Sequence, residues 1–508
     1  NRMGNNVETE IKLLVVKKDL KTLLSSDLVV KKVKKGSHKT LKLTNAYYDT
    51  EELLLQQRGI AYRIRQEGKM FEATVKLSKT EAGALTERRE YNAPVKSWRP
   101  DLSVFAETEM TEALSDLPEK AAIQKLFSVR VERDLRLLQI TKDTLVEMSI
   151  DEGYISAGGK KETIYEVELE LKSGSLGDLL DYTTKLSAVV PVFSESRSKY
   201  ARGMALLDKL PLRKDTSASD INWTNSYREE AQKQFYRYGT AILEEQNVFM
   251  HSKLQSEADT IFLPHFEKIR ETLFWLRPML TGTPGMEANL RRILADLYAL
   301  RETKALLRYW LDLYATGGGC WSEDKLTGML QKQVRTLGEG IHQRILQGRY
   351  STVVFSLWAA MENANWKVDE YLRGDQLLQV RTKDILEKIK TAAEVKDKMK
   401  GKRNSAPDYL IVAELDMEVS CLQKASEAEV LTVGGKEGRK KLAKLSKALA
   451  FWNDKCALAQ AVPSELMGLK SVAAAHQAGY LKGALFAEGS RESLKAGKAF
   501  KKWLKTLA

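Results

Sequence analysis

The stretch Val7-Glu-Thr-Glu-Ile-Lys-Leu-Leu-Val15 decides how the first part of this chain folds. Side chains of a β-strand alternate between its two faces. Glu8, Glu10 and Lys12 therefore share one face, and Thr9, Ile11 and Leu13 share the other. The same alternation recurs downstream. Arg63 and Arg65 are in phase within Ala61–Arg65, as are Glu72, Thr74 and Lys76 within Phe71–Leu77, and Arg88 and Glu90 within Glu87–Asn92. Val131-Glu-Arg-Asp134 brings Arg133, Leu145–Asp151 aligns Glu147, Ser149 and Asp151, and Tyr165–Leu171 aligns Glu166, Glu168 and Glu170. Each segment has one charged and one apolar face.

Two sheets satisfy this pattern. In one, the charged faces meet water and the apolar faces form a core. In the other, the sheet closes into a barrel with its charges inward and helices covering its apolar outside. Unpaired charges in such a lumen are costly, so the two signs must neutralise each other or a ligand must complete the balance. Carboxylates cluster on the first and last strands and Arg/Lys on the middle ones. That segregation suits a ligand that is itself a metal–polyanion complex. Carboxylate oxygens hold hard divalent cations, while guanidinium and ammonium groups hold phosphoryl oxygens.

At 508 residues the chain exceeds one core, and at roughly 100–200 residues per domain two to four units are expected. With 43% hydrophobic and 29% charged residues, the composition is that of a globular protein. Residues 7–205 read mainly with period 2 and 220–508 with period near 3.6; Pro211 and the small polar residues after it mark 206–219 as a linker. No proline is expected inside a long helix. The net charge is +13, and residues 1–210 hold 35 basic and 32 acidic side chains, so the positive excess lies mostly in the helical half. A basic surface attracts polyanions, while solvated helix lysines explain it equally well. No specific nucleic-acid partner is expected. Nor is a transmembrane segment, since no apolar run reaches the ~18 residues one requires. Cys320, Cys421 and Cys456 are far apart and form no C-x-x-C, which argues against disulfides and structural zinc and for a reducing, cytoplasmic setting.

E-T-E-I-K at 8–12 resembles the E-x-E-x-K signature of the CYTH, or triphosphate tunnel metalloenzyme, family. The family's supporting segments follow in order: Y-Y-D-T at 47–50, R-I-R at 63–65, T-V-K at 74–76, R-R-E at 88–90, E-V-E-L-E at 166–170 and S-K-Y at 198–200. The resemblance covers 7–205. It implies an α+β chain whose N-terminal part is an eight-stranded antiparallel β-barrel enclosing a tunnel. It also implies metal-dependent hydrolysis of a triphosphate, with magnesium or manganese as cofactor. Glu8, Glu10, Asp151, Glu166 and Glu168 would hold the metal, with Glu170 ranked lower. Lys12, Arg63, Arg65, Lys76, Arg88, Arg133 and Lys199 would grip phosphates, and Glu168 or Asp151, with Lys12, would serve catalysis.

Residues 220–508 resemble a CHAD domain, a basic all-helical module. The pair Arg291-Arg292 matches its Arg-Arg pattern, whereas its usual histidines are absent; His251, His265, His342 and His476 are scattered. The CYTH–CHAD pairing resembles the bacterial inorganic triphosphatases, which implies inorganic triphosphate as substrate. Arg291, Arg292, Arg439, Lys440 and Lys441 are candidates for a polyphosphate-binding face. The alternatives are a thiamine- or nucleoside-triphosphatase or adenylate cyclase on the same barrel, and a non-catalytic polyphosphate scaffold. Gly158-Gly-Lys-Lys and Gly434-Gly-Lys-Glu lack a complete phosphate-loop pattern and read as turns. Gly317-Gly-Gly reads as a connector between helices. Trp275, Trp310 and Trp358 read as core, and the basic tail at 493–507 as a closing helix.

Overall fold

The computed structural model describes residues 7–82, 85–105, 122–209, 221–276, 280–281, 284–317, 321, 323–366, 372–399, 409–427, 435–462 and 472–506. The period-2 segments form β1 (Val7–Val15), β2 (Lys39–Asp49), β3 (Ile60–Glu67), β4 (Met70–Ala82), β5 (Leu85–Val95), β6 (Gln124–Gln139), β7 (Leu145–Ala157) and β8 (Lys160–Ser173). They pair in the order β5-β4-β3-β2-β6-β7-β8-β1, every pair is antiparallel, and β1 returns to β5. The sheet is thus a closed eight-stranded barrel, with no free edge among these strands. A short β9 (Val192–Ser194) pairs with the C-terminal end of β1, beyond the residues that reach β5.

Closure needs the charged faces to turn one way, and they turn inward. Ile11, Leu13, Val146, Met148, Ile150, Val167 and Leu169 project outward into an apolar cluster that also contains Leu179, Leu180 and Leu186 of the helix Leu176–Val189. Tyr48, Tyr62, Ile64, Val75 and Phe105 form a second outer cluster; Phe127, Val129, Ile155, Ile164 and Met204 form a third, beneath the helix Lys199–Leu206. Burial of these outer faces, at roughly 25 cal/mol per Å² of apolar surface, stabilises the closed form. Gly158 and Gly159, with φ of +55° and +78°, make the two-residue β7–β8 turn, a conformation that suits glycine.

The second half is helical, with Tyr227–Met250, Ala258–Leu276, Pro284–Thr316, Leu326–Leu346, Arg349–Glu362, Gly374–Met399, Tyr409–Glu427, Gly435–Ala461 and Val472–Leu504 as its long elements. Trp275, Trp310 and Trp358 are all buried, and the tail helix inserts Ala496, Phe500 and Trp503 into the core. Pro264 corrects one expectation: it lies in the second turn of Ala258–Leu276, where its missing N–H leaves one rung of that helix unmade. Among the described residues no helix is long and apolar enough to cross a membrane. Cys320, Gly318, Gly319, Gly434 and residues 210–219 of the expected linker lie outside the described residues.

The two halves share a core. The apolar cluster of Ile11, Leu13 and Val15 runs on into Tyr350, Val353, Val354 and Leu357 of the helix Arg349–Glu362, and into Tyr227, Phe235 and Leu243 of Tyr227–Met250.

Candidate active site

The inward faces enclose a cavity of about 540 Å³ lined almost wholly by ionisable and amide side chains. Strand register sets their order. Glu10 lies opposite Glu170 and Lys12 opposite Glu168 across β1–β8, while Arg133, Asp151 and Glu166 follow one another across β6, β7 and β8. Of the residues expected from sequence, Glu8, Glu10, Lys12, Arg63, Arg65, Lys76, Arg133, Asp151, Glu168 and Lys199 all line this one cavity. Glu166 stands behind Lys199. The side chain of Arg88 lies outside the described residues.

One wall is an acidic cluster. Carboxylate oxygens of Asp151, Glu166 and Glu168 lie within 4.8 Å of one another. Asp151 and Glu166 are 0% and 1% exposed, whereas the Glu168 side chain keeps 12%. Arg133 forks onto Asp151 through Nε and Nη2, both at 2.7 Å, and Nη2 also meets Glu168 at 2.7 Å. Lys199 Nζ bridges Asp151 at 2.8 Å, Glu168 at 2.8 Å and Glu166. Arg202, one turn further along the same helix, holds Glu166 from behind at 3.0 Å. Burial works to raise the Glu168 carboxyl, but Lys199, Arg133 and Lys12 together hold it well below the usual carboxylate range.

The opposite balance holds near the start of β1. Lys76 is shared between Glu8 at 2.6 Å and Glu90 at 2.5 Å, and Arg63 sides with Glu90 at 3.7 Å. Burial pushes the Glu8 carboxyl up to about 8, with Lys76 opposing and Glu10 and Glu90 adding to the rise. Lys76 divides its charge between Glu8 and Glu90, and burial outweighs its pull on Glu8. The same face continues with Glu147 and Glu170, whose partner Lys172 is 3.8 Å and 2.6 Å away.

The middle strands carry the cations. Arg65 donates from Nε to Asn45 Oδ1 at 3.0 Å, and among the described residues it has no carboxylate partner. Burial lowers its guanidinium to about 10, with Arg63 and Arg133 adding to the fall. Buried Arg63 leaves its Nε without a hydrogen-bond partner. Crowded guanidinium groups with unused donors form an anion site.

A divalent cation fits this donor set: the donors are hard oxygens, and burial raises Glu8 in spite of Lys76 at 2.6 Å. Glu8 and Glu10 offer one set of oxygens, and Asp151, Glu166 and Glu168 a second, which Lys199 now bridges. Several lumen residues carry no role in the sequence reading. Period 2 places Glu90 and Glu147 on the charged faces without assigning them one, and Lys172 is the next step of the Glu166–Glu168–Glu170 face, so the same period could have found it. Asn45 and Arg202 left no such signal.

Residues 6–204 match the CYTH domain. Over 241 residues the chain is 29% identical to the inorganic triphosphatase of Haemophilus influenzae; the alignment takes in 46% of this chain and 65% of that relative's length. Among solved structures, an adenylyl cyclase candidate from Hippeastrum, described as having a dominant triphosphatase activity, is 19% identical with a TM-score of 0.31, covering 41% of this chain and 98% of that one. PptA from Streptomyces chartreusis is 16% identical with a TM-score of 0.38, covering 55% of this chain and 98% of that one.

Proposed function

We propose that the barrel hydrolyses inorganic tripolyphosphate to pyrophosphate and phosphate, with magnesium or manganese as its cofactor. The observation that carries this reading is one enclosed lumen that gathers carboxylates on β1, β7 and β8 and guanidinium groups on β3 and β6, with Glu8 raised by burial and Arg65 paired only to Asn45 among the described residues. A metal–polyphosphate complex brings a cation to the carboxylates and an anion to Arg65. Support for an inorganic substrate over a nucleotide comes from the lining, where among the described residues Val7, Ala61, Tyr47, Val131 and Tyr200 are the apolar contributors against a majority of charged and amide groups.

In this reading Arg63, Arg65 and Arg133, with Lys12, Lys76, Arg88 and Lys199, bind the phosphoryl oxygens. They stabilise the charge that builds up on the leaving pyrophosphate. Glu8, Glu10, Asp151, Glu166 and Glu168 hold metal. A divalent cation there supplies charge neutralisation and a bound water of lowered pKa. Of the two candidates for orienting the attacking water, Glu168 is favoured over Asp151, because Asp151 is fully buried beneath the Arg133 fork while Glu168 retains exposure to the lumen. Glu170 is promoted beside them, since it faces Glu10 directly across the ladder.

The proposal extends to the second half as a CHAD-like module, residues 220–508, that contacts polyphosphate. Its support is the largely helical build, broken among the described residues only by a two-stranded pair of Leu280–Thr281 with Asn365–Trp366, the basic surplus and the adjacent exposed pair Arg291 and Arg292. The free thiols of Cys421 and Cys456 are in keeping with a cytoplasmic setting.

The test is phosphate release from tripolyphosphate, ATP, thiamine triphosphate and long-chain polyphosphate, with magnesium or manganese and with a chelator. Tripolyphosphate is expected first by a wide margin, with no turnover under chelation. A preference for ATP or thiamine triphosphate, or polyphosphate binding without turnover, overturns the assignment.

A further inference from the structure

The three-residue strand β9 joins the tunnel to the helical half, and in its connections it lies between the two lysines nearest the acidic cluster, next to Lys12 along the β1 ladder and five residues before Lys199 in the chain. On one side it continues the β1 ladder: Leu13 pairs with Ser194, Leu14 with Phe193 and Val15 with Val192. Glu195 N then donates to Lys12 O at 3.1 Å. On the other side the chain runs five residues from Ser194 to Lys199, whose ammonium bridges Asp151, Glu166 and Glu168. That short connection is itself tied down. Glu195 holds the backbone N of Arg197 at 2.9 Å and its guanidinium at 3.1 Å, and Ser198 caps the helix that begins with Lys199.

β9 is held in turn by the helical half. Asn247 Nδ2, from the helix Tyr227–Met250, donates to Ser194 O at 2.7 Å. Ser194 Oγ donates to Leu243 O at 3.4 Å. Gly348, at φ +71°, brings the start of Arg349–Glu362 so close that a Cβ there would lie 3.1 Å from Pro191 Cα and Val192 N. Gln246 bonds Ser351 at 2.6 Å between the same two helices, with both residues fully buried. Val192 and Ser194 are fully buried and Phe193 nearly so. A strand of three residues is too short to hold its own position through ladder bonds alone; its place is fixed by what packs on it.

We propose that the helical half acts as a positioning body for the tunnel, with Asn247 as its positioning residue: it sets β9, and β9 sets Lys12 and Lys199 against Glu168. This rests on the triphosphatase reading for its kinetic consequence but not for its structural one. Among the described residues the hydrogen bond of the Asn247 side chain goes to β9 and not to a lumen group, so its effect is routed through β9.

The experiment compares the full chain with Asn247→Asp and Asn247→Ala. Asn247→Asp keeps the shape, loses the donor and faces Ser194 O with a carboxylate; Asn247→Ala removes the contact without repulsion. Amide hydrogen exchange of peptides covering 12–15 and 192–199 is measured alongside kcat and KM for tripolyphosphate, with circular dichroism to confirm the fold. Both variants are expected to speed exchange in those two peptides and leave β3–β4 peptides unchanged. Turnover is expected to fall about tenfold with KM changed less than about twofold, since small misplacement of catalytic groups costs rate more than binding. Unchanged exchange in the two peptides overturns the link. Accelerated exchange with unchanged kcat overturns its role in positioning. If the wild-type chain releases no phosphate, the functional reading fails, and the exchange data still decide whether Asn247 holds β9.

Discussion

At the scale of single residues, burial moves the Glu8 carboxyl and the Arg65 guanidinium in opposite directions. Among the described residues Glu10 has Lys12, at 3.6 Å, as its one ion-pair partner, and it borders Glu8, which burial has already raised. Glu10→Gln removes one hard oxygen ligand without changing shape. Turnover of tripolyphosphate is expected to drop by ~100-fold or more, the scale seen when one preorganised electrostatic group is lost. The circular dichroism spectrum should match wild type; an unchanged rate would remove Glu10 from the metal set. Arg65 is the mirror case. Its neighbours Arg63 and Arg133 repel it, so Arg65→Met is expected to raise the melting temperature without substrate. It should also raise KM by about tenfold, the equivalent of one charge-assisted hydrogen bond. A lower melting temperature would show that Asn45 or another group compensates Arg65 fully.

At the scale of elements, the strands were readable and their orientation was only half so. Period 2 places Glu8 with Glu10 and Arg63 with Arg65 whichever face points inward. What chose the inside was segregation of charge sign between strands, a property of the set and not of one segment. β9 escaped reading because three residues carry no period, and Asn45 because β2 has few charges on its inner face. Nearness to a strand end says nothing about register, and the ladder sets Glu170 opposite Glu10. Close approach at Gly153 is also invisible in sequence. A Cβ at this β7 position would lie 2.0 Å from Arg130 O. Gly153→Ala is expected to destabilise the barrel by on the order of 3 kcal/mol, measurable by denaturant unfolding; a loss under about 0.5 kcal/mol would mean the strand shifts freely.

The helices carry their own titration. Burial pushes the Asp416 carboxyl up to about 6, with Asp454 adding and Asn453, 3.4 Å away, opposing. Its folded-state value is raised, so between about pH 4 and 6 the folded chain holds a proton that the unfolded chain has released. This contribution to stability therefore falls as pH rises through that window and is gone above it. Asp416→Asn should be more stable than wild type at pH 7.5, by on the order of 1 kcal/mol after solvent screening, and lose that advantage towards pH 4. Equal melting curves at both pH values would contradict the assignment.

At the scale of the whole molecule, a barrel this polar inside is stable because its outside is shared. The cluster that buries Ile11, Leu13 and Val15 also buries Tyr227, Val353 and Leu357, so the strand bearing Glu8, Glu10 and Lys12 is pressed from behind by the helical half. The sequence separated the two halves by period but held no sign of that contact, because an apolar strand face reads the same under a helix from either half. The most direct measurement is a crystal of the full chain soaked with manganese and a non-hydrolysable triphosphate, with anomalous differences locating the metal. The account predicts manganese inside the barrel on oxygens of the Glu8–Glu10 or Asp151–Glu168 groups, with phosphates on Arg63, Arg65 and Arg133. Metal and triphosphate both bound outside the lumen, with its ion pairs unchanged, would contradict it.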